Sequence, residues 1–343
     1  MANERRYQLQ SEEANRQLDT LLAGLGVHPE TSQYYAQMLT TVLKLFEDGA
    51  DVGDLKIANS ALKELRYAFK VFSQYRTMPK VTVFGSARTP PDHAITLQAN
   101  DFGRRMVEAG WMVITGAGSG VMGGAQAGAG REQSFGLNIR LPFEQEANPW
   151  IAEDPKLITF KYFFTRKLFL LKESAAACFL PGGFGTFDEV FEVLTLIQTG
   201  KTSMIPVLLL DIPGGGYWKA WDAYVREETV GRGFIAPEDV HLYRVTETVE
   251  DAGREILNFY RVFHSHRFVG EHLVLRIHRP LNPKALEALG REFQDILKGP
   301  VLFLPGPLPA EDDEWPELPR LILPFNRTSY GRLRQLIDFI NRS

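Results

Sequence analysis

Three turns in this 343-residue chain are built from residues with little or no side chain. They are Phe84-Gly85-Ser86-Ala87-Arg88, then Thr115-Gly116-Ala117-Gly118-Ser119-Gly120-Val121-Met122-Gly123-Gly124, and last Pro181-Gly182-Gly183-Phe184-Gly185-Thr186. Each follows an apolar run that reads as a strand. Where a Cβ is missing, backbone N–H groups can close on an anion, and a helix starting just beyond adds partial positive charge. Three such turns in one sheet favour a phosphorylated ligand. Tight strand-to-helix turns with no ligand would also use these glycines.

The third turn runs into Thr186-Phe187-Asp188-Glu189. Thr-x-x-Glu is a capping box, with Thr186 bonding the Glu189 N–H and Glu189 reaching back. That reading accounts for the spacing without chemistry, but not for the glycines just before it. A carboxylate here would repel a phosphate and is better placed beside a sugar. Asp188 lies about 100° round the helix from Glu189, which predicts that the two do not face one site.

Other motifs carry less. Gly118, Gly120 and Gly123 spell GxGxxG, but after the second strand of the domain, and no acidic residue follows about 20 positions later, so NAD is not expected. Gly200-Lys201-Thr202 follows a helix and lacks the first glycine of a P-loop. His264, His266, His272 and His278 cluster in sequence with Glu271 as the nearby carboxylate, and are expected at a surface or junction rather than on a metal. No metal and no cofactor are expected. The single cysteine, Cys178, allows no internal disulfide and suits a reducing cytoplasm.

These turns need a frame to hold them. The runs VTVFG (81–85), WMVIT (111–115), SFGLNI (134–139), AAACFLP (175–181), IPVLLLD (205–211) and HLYRV (241–245) alternate with helical segments. Short, uniformly apolar strands separated by helices predict an α/β fold: a doubly wound, Rossmann-like parallel sheet over residues 79–263. Residues 1–78 carry apolar positions at helical spacing and form an N-terminal helical region. Residues 264–343 read as a small C-terminal α/β domain, with strands HLVLRI, PVLFLP and LILPF, helices near 283–297 and 329–341, and an acidic, Pro-rich surface loop. Lys and Arg number 38 against 42 Asp and Glu, a net charge of −4, which argues against a nucleic-acid or anionic-membrane partner. No signal peptide or membrane span is read, so the expected place is the cytoplasm.

PGGFGTFDE resembles the PGGxGTxxE signature of the Lonely Guy (LOG) family of nucleoside 5′-monophosphate phosphoribohydrolases, whose members are often labelled lysine decarboxylases. Arg166-Lys167, 23 residues before Glu189, resembles the family's Arg-Lys pair. GSAR (85–88) and GAGSGVMGG (116–124) resemble its first two nucleotide-binding loops. GLNIRLPFEQ (136–145) and YFFTRK (162–167) look like a longer bacterial branch. The match covers about residues 80–210. It implies hydrolysis of the N-glycosidic bond of a purine nucleotide, AMP or a cytokinin riboside monophosphate, to free base and ribose 5-phosphate. It implies Arg166 and Glu189 as catalytic residues. Gly85, Ser86, Gly118, Gly120, Lys167, Gly182, Gly183, Gly185 and Thr186 would hold the nucleotide, with Glu144 and Thr195 added by analogy. It also implies a homo-oligomer, a dimer or larger. The alternative is a nucleotide-binding or sensing protein of the same fold without catalysis.

Overall fold

The computed structural model describes residues 7–142, 146–311 and 314–343. The chain divides into two compact units, residues 1–66 and 67–343. The first holds α1 (Glu12–Gly24), α2 (Pro29–Glu47) and the start of α3 (Val52–Phe72). Ser11 caps α1 by accepting from the Ala14 N–H, and Gly26 and Gly49, both at positive φ, lie just past the ends of α1 and α2.

In the second unit seven strands form one parallel sheet. They are β1 (Lys80–Phe84), β2 (Met112–Thr115), β3 (Ser134–Ile139), β4 (Leu157–Phe160), β5 (Ala176–Phe179), β6 (Val207–Leu210) and β7 (Arg244–Thr246), in the order β4-β3-β2-β1-β5-β6-β7. The chain steps outward from β1 to β4, then returns to lay β5 against the other side of β1, with Val81 opposite Ala176 and Phe84 opposite Phe179. That reversal creates a crevice at the carboxyl ends of β1 and β5, the place where open α/β sheets bind ligands. The connecting helices are α4 (Ala94–Glu108), α5 (Val121–Ala129), α6 (Phe163–Lys172), α7 (Phe184–Gln198), α8 (Tyr217–Tyr224) and α9 (Val249–Phe259). The central strands are apolar on both faces because both are covered. Val81, Val83, Val113, Phe135, Leu137, Cys178 and Leu208 are all fully buried.

A second, antiparallel sheet has the order β10-β11-β9-β8, from β8 (Phe263–Val269), β9 (His272–Ile277), β10 (Leu302–Leu304) and β11 (Arg320–Leu323), with α10 (Pro283–Glu292) and α11 (Tyr330–Arg342). Its Leu273, Leu275 and Leu321 share one core with Ala177, Val207 and Trp218 of the parallel-sheet region.

The doubly wound sheet predicted from the apolar runs is therefore present. Two details, one in this sheet and one in the C-terminal region, differ from the sequence reading. HLYRV starts its strand later, at Arg244, because Pro237–Leu242 closes as a short 3-10 turn. The Pro-rich acidic loop is not wholly at the surface: Glu311 is fully buried, accepting from Arg320 Nε at 3.0 Å and Arg276 Nη2 at 2.9 Å. A buried carboxylate is tolerated only when paired in this way.

At the end of α3, Phe72 is buried and stacks on Phe135 of β3, ring centroids 4.6 Å apart, and on Phe169 of α6 at 6.1 Å. Phe72→Ala is expected to cost about 3–5 kcal/mol, read as a lower thermal midpoint, because two rings lose their common neighbour.

Candidate active site

The three glycine turns meet at the switch point and interlock. The Ser86 N–H donates to the Pro181 carbonyl (3.1 Å), and the Val121 N–H donates to the Ser86 carbonyl (2.9 Å). Some glycines are demanded by this contact alone. A Cβ on Gly85 would press on Val121, and one on Gly182 would strike the Thr186 hydroxyl and crowd the Ser86 N–H. Gly120 has φ +61° and lies under the Ser86 carbonyl. For these positions the tight-turn reading is sufficient. Gly183 and Gly185 differ: a Cβ there would meet nothing within 4 Å, and neither has positive φ. Protein packing does not require glycine at either, and both face a cavity.

That cavity holds about 740 Å³. Its wall includes Gly85, Ser86, Gly183, Gly185, Thr186, Arg166 and Glu189 from the residues predicted by sequence. It also includes Gly116, Met122, Ile139, Leu141, Phe163, Phe187 and Asp188, which sequence reasoning did not assign to the site. Among the described residues, the wall does not include Gly118, Gly120, Gly182, Lys167 or Thr195. The Gly118 carbonyl accepts from Asn148 Nδ2 at 2.9 Å. Thr195 is exposed on α7, two turns past the cavity. Glu144 lies outside the described residues.

The start of α7 corrects the capping-box reading. Its N-cap is Gly183, no side chain caps it, and Thr186 is already in the first turn, its N–H bonded to the Gly183 carbonyl at 3.0 Å. Glu189 therefore carries no capping duty. Its carboxylate is 13% exposed, and burial raises its pKa above the ordinary carboxylate value, with Lys167 opposing that rise and Glu192 adding to it.

Arg166 and Lys167 follow one another on α6 and diverge. Arg166 turns to the sheet, where Nε donates to the Leu137 carbonyl at 2.8 Å. Its Nη2 lies against Gly116, where a Cβ would collide with it. Burial lowers the Arg166 pKa and the attraction of Glu189 opposes that. Lys167 turns to α7. Its Nζ lies 2.6 Å from Glu192 Oε2, 2.9 Å from Asp188 Oδ2 and 3.1 Å from Glu189 Oε1. Burial lowers its pKa, but hydrogen bonds to Glu192, Asp188 and Glu189 together outweigh this and hold it above the ordinary lysine value. The helical angle of about 100° was expected to part Asp188 from Glu189, yet both line the cavity and meet at this one ammonium, because a long lysine from the neighbouring helix spans them.

The cavity thus has two electrostatic ends. Backbone N–H groups at the start of α7 suit an anion. The carboxylates of Asp188 and Glu189 on the wall, backed by Lys167 and Glu192 behind it, suit a group that becomes positive.

Among the described residues, no three His, Cys, Asp or Glu side chains are placed to hold a metal ion. The four clustered histidines do not converge on one point: His264 and His278 meet edge to face, ring centroids 5.3 Å apart, while His266 and His272 lie elsewhere on their strands. His266 is half-buried and accepts from the Met204 N–H at 3.0 Å, and desolvation lowers its pKa to about 4. His264 packs on Trp315, and His272 is exposed. No helix of the described residues is long and apolar enough to cross a membrane.

Fold and site define a Rossmann-like α/β protein with a glycine-lined, carboxylate-bearing cavity at the switch point of its sheet. The family model described as possible lysine decarboxylase matches residues 120–256, a span holding Arg166, Lys167 and PGGFGTFDE. A probable cytokinin riboside 5′-monophosphate phosphoribohydrolase, LOGL5 of Oryza sativa subsp. japonica, is 29% identical over 50% of this chain and 69% of its own. A cytokinin riboside 5′-monophosphate phosphoribohydrolase of Mycobacterium tuberculosis is 29% identical over 48% of this chain and 87% of its own. LOG1 of Arabidopsis thaliana is 38% identical over 22% of this chain and 34% of its own, so the chain spans about a third of that relative. These matches bear out the resemblance to the Lonely Guy family. The molybdenum cofactor binding protein of Rippkaea orientalis is similar in structure over 52% of this chain and 96% of its own, with a TM-score of 0.39 and 19% identity.

Proposed function

We propose that the protein hydrolyses the N-glycosidic bond of a purine nucleoside 5′-monophosphate, AMP or a cytokinin riboside monophosphate, releasing free base and ribose 5-phosphate. One observation carries the reading. A largely buried carboxylate with no structural duty at its helix start shares a cavity with two glycines that the fold does not require. The 5′-phosphate sits at the start of α7, on the N–H groups of Gly183 and Gly185 and the Thr186 hydroxyl, with Gly85 and Ser86 alongside. The ribose then lies over the first turn of α7, where Glu189 stabilises positive charge developing at C1′ as the base departs. Glu189 also orients the attacking water. Arg166, held by Leu137, presents its remaining planar donors to the substrate. The phosphoribohydrolase names of the relatives support the same chemistry.

Lysine decarboxylation has less support. The Lys167 amine is held charged among three carboxylates, the opposite of what a Schiff-base nucleophile needs.

Incubation with a panel of nucleoside 5′-monophosphates and chromatography of the free bases tests the proposal and sets the base preference. Tight nucleotide binding without release of any base would support the non-catalytic alternative.

Lys167 opposes the rise in the Glu189 pKa. Its removal should push that pKa further up, so more carboxylate is protonated at any acid pH. Lys167→Met is expected to lower turnover about ten-fold, the loss of one charge-assisted hydrogen bond. The acid limb of the pH–rate profile should move to higher pH. An unmoved limb would remove the coupling.

A further inference from the structure

The Gly182 carbonyl, at the hinge between β5 and α7, is held from outside the glycine turn. Tyr217, first residue of α8, donates its hydroxyl to that carbonyl at 2.5 Å. Its ring stacks on Phe187 of α7, centroids 5.7 Å apart at 17°. The start of α8 is itself fixed from the sheet: Asp211, at the end of β6, accepts from the Trp218 N–H at 3.2 Å and the Ile212 N–H at 2.9 Å. Burial raises the phenol pKa, so the hydroxyl stays protonated and able to donate.

The carbonyl of Gly182 and the N–H of Gly183 belong to one peptide unit. With no cis peptide among the described residues, they point in opposite directions. A donor that fixes the carbonyl on the α8 side therefore fixes the N–H on the other side. Gly183 lines the cavity and has no side chain to lock its backbone. Glycine would otherwise let this peptide rotate at little cost.

We infer that Tyr217 is a positioning residue: by holding the Gly182 carbonyl it aims the Gly183 N–H at the cavity as a donor for the phosphate of the ligand. This rests on the proposed placement of the 5′-phosphate at the start of α7. Tyr217 is not on the cavity wall. Its hydroxyl bonds the Gly182 carbonyl, not Arg166 or Glu189.

Tyr217→Phe keeps the ring and its stacking on Phe187 and removes one hydroxyl. In the full chain, calorimetry with inorganic phosphate should show a Kd about 3- to 10-fold weaker than wild type, the range for one hydrogen bond. The KM for AMP should rise by a similar factor with kcat changed less than two-fold, and the inhibition constant of free adenine should not move. Unchanged phosphate affinity, phosphate and adenine weakening together, or a wild-type protein that binds no phosphate would each overturn the inference. A wild-type protein that binds phosphate but releases no base from AMP would instead sink the hydrolase reading, and the calorimetric comparison would still decide the role of Tyr217.

Discussion

Glu189→Gln is expected to give a folded protein whose base release is reduced by at least about 10²-fold, the lower range for a positioned acid–base group. The substitution isolates the charge. The helix that carries Glu189 begins at Phe184, its N-cap Gly183 offering no side chain, so an amide at position 189 takes nothing from its start. Lys167 keeps Glu192 and Asp188 as partners. What disappears is the anion beside C1′. Initial rates with AMP, set beside the thermal midpoint of the same sample, check this. Turnover close to wild type at an unchanged midpoint would strip Glu189 of its role and leave the cavity as a binding site.

Arg166→Ala should lower turnover by a similar factor of at least about 10²-fold, and Arg166→Lys should recover little of it. Geometry decides this rather than charge. Arg166 spends Nε on the Leu137 carbonyl and lays Nη2 against Gly116, a fit that needs a planar fork fixed in one orientation. A lysine offers a point charge on a flexible stem and cannot make that anchor and face substrate at the same time. Measured kcat/KM for the two variants separates the cases. Full activity in the lysine variant would mean that position 166 needs only a positive charge.

Much of this site was legible in the sequence because its parts are local. A glycine cluster at the end of an apolar run marks a strand end open to a ligand whatever the rest of the chain does, and three such clusters fall on strands that the fold makes neighbours or near neighbours. The parts not legible depend on where other elements come to rest. Met122, Ile139 and Phe187 are ordinary apolar residues until the crevice forms between them. The meeting of Asp188 and Glu189 at Lys167 needs α6 beside α7, and no angle measured along α7 alone contains it. The true N-cap of α7, three residues before Thr186, is the extended Gly183, whose freedom a Thr-x-x-Glu pattern does not register. Strands β4 and β8 lacked the apolar signature for a related reason. Thr159 is exposed in four-residue β4, and β8 carries four consecutive polar residues, His264 to Arg267, as expected of strands buried less completely than those in the middle of the sheet. Tyr217 carries no motif at all. Its bond to Gly182 joins residues 35 apart in sequence.

The most direct test of the central claim is the product balance from a single nucleotide. Wild-type protein is incubated with AMP, and adenine, ribose 5-phosphate, adenosine and inorganic phosphate are quantified together. Cleavage at C1′ predicts one adenine and one ribose 5-phosphate for each AMP consumed, with neither adenosine nor inorganic phosphate formed. Adenosine and phosphate in equal amounts would place the broken bond at the phosphate ester and contradict the account, as would AMP and every other purine nucleoside 5′-monophosphate recovered intact.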